Sequence, residues 1–299
     1  MQEKSLLSQL KFSRLETLRA LVTWPISHIL GSYARKYLNE GRRQLVVFSF
    51  DSIAQQINLH GLYERKELEI FFLWAKKDRS YIFDGIAVDI GANIGNHSLY
   101  FSDLFKHVIS FEPNIRTFQV LELNANLANN ITTYNFGISN TEREAVLNIN
   151  PSNIGGSYLS ESASSTSQVV KLRRLDSVIS DDQRITMIKI DVEGHEYEAL
   201  TGARNVIERN KPLILFEQHK TDFHNGKSRV IELLRGYGYT NFGIIERYPR
   251  PFAAIPKAIQ PPVELLLRIV FGQYIKLSVQ KTIVPDFYSF VAALPDKAQ

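Results

Sequence analysis

The chain has 299 residues, 44% of them apolar and 22% charged, which is the composition of an ordinary globular protein. A net charge of +4 is too weak to argue for nucleic acid without a clustered basic face. The absence of cysteine excludes disulfides, thiolate nucleophiles and Cys-ligated zinc.

Charges at Lys4, Lys11, Arg14, Glu16 and Arg19 interrupt every apolar run at the amino terminus, so no secretory signal is expected there. Residues 20–34 contain Thr23, Pro25, Ser27 and His28 and are too short and too polar to span a bilayer. A cytoplasmic protein is expected. The same region has helical spacing, with Leu6, Leu7, Leu10, Leu15, Leu18, Leu21 and Val22 on one side and basic residues on the other. Such a helix packs on its own domain, or lies on a membrane surface or a partner. A second helix is expected over 64–77, after a turn at Gly61. Length suggests a helical extension over 1–60 and one main domain over 61–299, with an insertion at 249–285.

From Gly85 onward strand and helix alternate. Strands are expected at 86–90, 108–111 and 132–138, with helices at 94–105 and 114–128 between them. The apolar run 86–90, bounded by glycine, suits a buried parallel strand. Alternation lapses over a hairpin arm at 146–149 and a Ser-, Gly- and Asn-rich loop or lid at 151–168. It resumes with strand 186–191, helix 196–208, strand 213–217, helix 229–235 and strand 242–245. A proline-punctuated insertion follows, whose apolar core at 263–277 reads as a helix with Glu264, Arg268 and Lys276 in one stripe. The last strand is expected at 287–293. This order implies an α/β fold with a Rossmann-like, doubly wound, mostly parallel sheet.

The stretch Val88-Asp89-Ile90-Gly91-Ala92-Asn93-Ile94-Gly95 joins the first strand to its helix. Glycines 91 and 95 permit a sharp turn, and the helix start offers backbone N–H groups to a carboxylate. Glu112 ends the second strand, where an acid can accept both hydroxyls of a ribose. Dinucleotide enzymes place an acid similarly, but their G-x-G-x-x-G fingerprint would need glycines where this chain has Asn93 and Asn96. Asp89 adds an acid that could hold an ammonium group through the loop or a water. Taken alone, the stretch fits an adenosylmethionine site, a nucleotide site or a structural turn.

Together with Phe111-Glu112-Pro113 and Ile188-Lys189-Ile190-Asp191-Val192-Glu193-Gly194-His195-Glu196, this stretch resembles the FkbM-type methyltransferases. Gly61-Leu62-Tyr63-Glu64 and Asn135-Phe136-Gly137-Ile138-Ser139 add to the resemblance, which covers roughly residues 60 to 293. It implies a class I methyltransferase fold, S-adenosylmethionine as cofactor, and O-methyl transfer to a sugar, glycan or natural-product acceptor. Carried over, Gly91, Asn93 and Gly95 border the methionine part, Glu112 the ribose, and Asn135 and Gly137 the adenine.

Asp191 falls at the carboxyl end of the fourth strand, the edge where open α/β sheets bind ligands. If the backbone stays extended there, Asp191, Glu193 and His195 point one way, as an acid/base cluster or a cation site. The plainer alternatives are that Glu193 caps backbone N–H groups and that His195 is a solvated first-turn residue. Glu217 and His219 close the fifth strand on the same edge and are further candidate bases, although a structural role suits His219 as well. No metal is assigned. The apolar helix of the insertion packs on its own domain, covers the acceptor, rests on a membrane or forms a homodimer seam. Rival readings are a dinucleotide-dependent oxidoreductase and a catalytically silent, membrane-associated scaffold.

Overall fold

The computed structural model describes residues 14–149, 157–160, 166–248, 259–272 and 274–295. The leucines at 6, 7 and 10 lie outside these residues. So do most of the Ser-rich loop and the first part of the insertion. Three helices come first: α1 (Arg14–Asn39), α2 (Ser52–His60) and α3 (Arg65–Asp78). The sequence pattern had not separated α2. Its start is fixed by Asp51, whose side chain accepts from the Ile53 N–H, and its end by Gly61 in the left-handed region.

The alternating part follows in the expected order. It runs β1 (Ile86–Ile90), α4 (Asn96–Ser102), β2 (His107–Phe111), α5 (Ile115–Ala125) and β3 (Ile131–Tyr134). The chain then leaves the main sheet. β4 (Gly137–Ile138), β5 (Arg143–Asn148), β6 (Tyr158–Ser160) and β7 (Ser167–Arg173) form a second sheet in the order β4-β7-β5-β6. The expected strand 132–138 is thus two strands in two sheets, and within the polar stretch 158–160 and the residues from 167 onward pair as strands.

After the one-turn α6 (Leu175–Val178) come β8 (Ile185–Ile190), α7 (Glu196–Thr201), α8 (Arg204–Asn210) and β9 (Leu213–Gln218). The expected helix 196–208 breaks where Gly202 packs so tightly on the Ser139 carbonyl that no Cβ would fit. A two-residue hairpin, β10 (Phe223–His224) and β11 (Lys227–Ser228), precedes α9 (Arg229–Gly236) and β12 (Asn241–Tyr248). α10 (Gln260–Phe271), β13 (Tyr274–Gln280) and β14 (Tyr288–Leu294) complete the chain. β13 pairs antiparallel with β12 along its length, so the later part of the 249–285 segment extends the sheet. Lys276 lies on this strand and shares no helical stripe with Glu264 and Arg268.

The main sheet has the order β13-β12-β14-β9-β8-β1-β2-β3. Five successive strands, β9, β8, β1, β2 and the edge strand β3, are parallel, and β14, β12 and β13 add antiparallel pairings. The chain winds outward from β1 to β3, then returns to β8 on the other side of β1. The reversal opens a crevice beyond the carboxyl ends of β1 and β8.

Alternation along each strand splits the core in two. Val88, Ile90, Ile188, Ile190 and Phe216 pack with α7, α8 and α9 on one face. Ala87, Val108, Met187 and Leu215 pack with Phe71, Phe72 and Phe101 of α3 and α4 on the other. Two helices stand apart from this core. α1 buries only Tyr37 among its residues from Leu18 onward, leaving Leu21 and Trp24 more than 70% exposed. α10 exposes Leu265, Leu266, Ile269, Val270 and Phe271. Neither helix is long and apolar enough to cross a membrane.

Candidate active site

The crevice at the β1/β8 reversal gathers residues from well-separated parts of the chain. Its floor is the turn after β1, where Gly91, Asn93 and Gly95 all have positive φ. Gly91 has no freedom for a side chain, because a Cβ there would overlap the Asp191 carbonyl of the next strand. The Gly91 and Ala92 N–H groups both donate to the Phe111 carbonyl, which ties the turn to the end of β2.

Glu112 lines the crevice beside this turn. Its Oε2 accepts from the Asn93 N–H at 3.0 Å and its Oε1 from the Asn114 N–H at 2.8 Å. Burial pushes its pKa up to about 7, with the two N–H donors acting in the opposite direction. Each oxygen keeps further acceptor capacity on a carboxylate whose position the backbone has fixed. Next to it, Pro113, Gly137, Ile138, Leu147, Leu159 and Leu172 form an apolar slot. A rigid hydroxyl acceptor beside a flat apolar slot suits a nucleoside.

Not every expected residue reaches this space. Asn135 points back into the chain, its Nδ2 donating to the Glu112 and Pro113 carbonyls, so it shapes the turn and does not line the crevice. Asp89 is fully buried behind the floor. It shares a face with Ala87, and its Cα is in register with Ser110 of β2 and Lys189 of β8. Its Oδ2 accepts from Ser98 Oγ at 2.6 Å, and its Oδ1 lies 3.4 Å from Lys189 Nζ. Asp89 is therefore committed to Lys189 and Ser98, and no crevice-facing role remains for it.

Lys189 was missed from the sequence. It is buried mid-strand, 3.4 Å from both Asp89 Oδ1 and Asp191 Oδ2. Burial alone would lower its pKa, but Asp89, Asp191 and Glu64 more than offset this and hold it raised. A lone lysine inside the apolar run 185–190 was the available signal.

On the far wall, Asp191, Glu193, His195 and Glu217 all line the crevice, as the sequence suggested. They arrive by a turn and not by an extended backbone, since Glu193 and Gly194 have positive φ. Glu196 Oε1 closes this turn by accepting from Val192 and Gly194 N–H. Burial, with Asp191 next, raises the Glu193 pKa. Burial, then Asp191 and Glu193, pushes Glu217 up to about 8. Burial lowers the His195 pKa, and its Nε2 sits 2.9 Å from Ser139 Oγ. His219 does not line the crevice. It stands behind Glu217, Nε2 to Oε2 3.6 Å, with its ring 5.3 Å from that of Phe287.

Two more residues join this wall from an unexpected direction. Tyr63 and Glu64 precede α3 and line the crevice because Tyr63 is clamped to Asn96 by two hydrogen bonds. Glu64 Oε2 lies 3.3 Å from Nε2 of His97, which also lines the crevice. Among the described residues, no group of three or more His, Cys, Asp or Glu side chains is arranged to hold a metal ion.

The family model for the methyltransferase FkbM domain matches residues 89–240, about half of the chain, and these include the floor, Glu112 and the Asp191–Glu217 wall. The hexuronic acid methyltransferase AglP of Haloferax volcanii is 29% identical over 128 residues, which make up 42% of this chain and 52% of that protein. The chain thus spans about half the length of this curated relative. Among solved structures, a methyltransferase FkbM from Methylobacillus flagellatus is 27% identical with a TM-score of 0.33, covering 45% of this chain and 32% of its own. The Streptococcus mutans protein SMU.1697c, solved in complex with SAH, is 14% identical with a TM-score of 0.38, covering 73% and 97%.

Proposed function

Since the chain belongs to the FkbM methyltransferase family, we propose that it uses S-adenosylmethionine to methylate a hydroxyl oxygen of a sugar or glycan. The observation that carries this reading is the backbone-fixed Glu112 carboxylate beside the positive-φ turn, next to an apolar slot of nucleoside character. In it, the turn 91–95 borders the methionine part, Glu112 accepts the ribose hydroxyls, and Gly137 with the apolar slot takes the adenine. The sugar acceptor is suggested by the hexuronic acid named for the relative from Haloferax.

The cofactor, when bound, supplies a methyl group on a sulfonium that is already strongly electrophilic. The protein's part is to align the acceptor oxygen and to take up its proton. Alignment alone is worth roughly 7–11 kcal/mol, and a placed base adds about 10²–10⁴-fold. Glu217 and Glu193, with pKa values raised by burial and next by Asp191, are the bases this wall offers. Gathered acids at the sheet's ligand edge favour an active enzyme over a silent scaffold, and family membership favours methyl transfer over a dinucleotide reaction.

Calorimetry with S-adenosylhomocysteine tests the reading. Binding is expected in the wild type, strengthening as pH rises through about 7, because the ionised form of Glu112 is the better acceptor for hydroxyl donors. Glu112→Ala should weaken binding roughly tenfold or more and remove that pH dependence while the fold survives. Unchanged affinity in the variant, or tighter binding of NAD than of S-adenosylhomocysteine, would end the assignment.

Contact with a membrane surface is a second part of the proposal, supported by α1. Its residues 20–34 carry no charged side chain, and Leu21, Trp24, Ile26 and Ile29 are exposed. The full chain should co-sediment with anionic vesicles, and Leu21→Glu with Trp24→Glu should abolish this. Equal sedimentation of the two would remove the idea.

A further inference from the structure

The fold holds a second cavity, of about 480 Å³, which methyl transfer in the crevice leaves unused. It lies between α1, the connector over 42–47 and α2. Leu30, Ala34, Leu38, Leu45, Val47 and Ile57 give it an apolar lining. Leu30, Ala34 and Leu38 are spaced by four and form one stripe of α1. Tyr37 fixes that helix to the end of α2. Its hydroxyl donates to the Leu59 carbonyl at 2.6 Å, and a Cβ on Gly61 would lie 2.9 Å from its ring. The two arginines in the lining are already engaged, Arg42 near Glu40 and Glu69, Arg43 with Asp103 and the Leu99 carbonyl. A cleft of this size and lining suits a hydrocarbon tail and disfavours a polar ligand.

α2 joins this cleft to the crevice. Ser52 and Ile53, at its start, line the crevice, and Ile57, one turn on, lines the cleft. Residues four apart share one face of a helix, about 6 Å apart along its axis, so a single molecule can reach both spaces. The source of such a tail is argued from charge. The uncharged run 20–34 of α1 is flanked by Arg19 on one side and by Arg35 and Lys36 on the other, which complements the anionic headgroups of a membrane surface. Phe50, 96% exposed between the connector and α2, adds an apolar anchor for the same surface.

Resting on the methyltransferase reading above, we propose that the acceptor is lipid-linked, with its hydrocarbon tail seated in the α1–α2 cleft and its sugar in the crevice. The membrane then presents the substrate as well as holding the protein, and α2 becomes part of the acceptor site. These helices precede residues 89–240, so the family match itself assigns the cleft no role.

The test uses the full chain saturated with S-adenosylhomocysteine, with each probe kept below its micelle concentration. The probes are the methyl and octyl glycosides of glucose, galactose and mannose, with octanol as the tail alone. At least one octyl glycoside is expected to bind about tenfold or more tightly than both its methyl counterpart and octanol. Octyl and methyl forms of equal affinity, octanol matching the octyl glycosides, or binding by none of them would overturn the proposal while leaving the cofactor assignment intact. Failure to bind S-adenosylhomocysteine at all would instead bring down the methyltransferase reading, and this proposal with it. Ala34 is exposed, so Ala34→Phe fills the cleft without crowding the core. It should erase the gain from the octyl tail, with S-adenosylhomocysteine binding as the check that the variant is folded. A gain that survives in the folded variant would also overturn the proposal.

Discussion

The two walls of the crevice are built by different means. The Glu112 side is main-chain architecture, in which one bend over 91–95 passes through three positive-φ residues, and the amides of Asn93 in the bend and of Asn114 fix a carboxylate. The opposite side is an assembly of side chains from Glu64 before α3, His97 on α4, Asp191 and Glu193 after β8, and Glu217 on β9. The first wall cannot accept one added atom at its tightest point. The second should accept isosteric neutralisation of a charge, and should register the change in pH behaviour and selectivity more than in folding.

Paired glycine substitutions test that contrast most severely. Gly91→Ala must displace the Asp191 carbonyl and strain a left-handed residue, so it should cost about 4 kcal/mol or more, or prevent folding. Gly194→Ala on the other wall meets nothing within 4 Å and carries only the left-handed strain, about 1 kcal/mol. Urea unfolding of both variants measures the gap. Equal losses would mean that the two walls do not differ in the way described.

Lys189→Met should come next in size. Lys189 joins the two walls, since it pairs with Asp89 behind the floor and with Asp191 at the crevice. Removing the ammonium leaves Asp89, which is fully buried, without a counter-ion, and this should cost about 3 kcal/mol. The double variant Asp89→Asn, Lys189→Met should recover part of that loss, because neither charge then remains unpaired. A double variant no more stable than Lys189→Met alone would show that the pair is not the source of the cost.

The contrast also explains what the sequence made legible. The bend was legible because glycine at 91 and 95, an acid ending β2 and apolar strands on either side are local signals with local causes. The parallel order followed from alternation, and most elements of the main sheet lie close to where periodicity placed them. Lys189, His97 and Glu64 were not legible as a group, since nothing local says that a lysine inside β8 faces Asp89 on the neighbouring strand β1. Asp89 and Asn135 were misplaced for a related reason. Their side chains are within reach of the crevice by sequence position, but strand alternation turns Asp89 to the α4 face and the turn chemistry of Pro113 captures Asn135. The polar stretch from 151 onward looked like a lid because its composition is that of a loop. The pairing of Ser167–Arg173 with Arg143–Asn148 depends on a partner strand that composition does not show.

Glu217→Gln should have the smallest effect, visible only as a change of slope. Burial and the neighbouring carboxylates lift the Glu217 pKa in the folded chain to about 8, from an ordinary value near 4.5. Between these values the native state keeps a proton that the unfolded state has released. Folding stability must therefore fall as pH rises through that window, and this contribution levels off above about 8. Glu112, raised to about 7, adds a fall of the same sign that ends earlier. In Glu217→Gln the upper part of the decline, between about pH 7 and 8, should flatten while the part due to Glu112 stays. Melting temperatures recorded from pH 5 to 9 resolve the two. An undiminished decline between pH 7 and 8 in the variant would mean that Glu217 is ionised at neutral pH, and that the acidic wall is less crowded than its geometry implies.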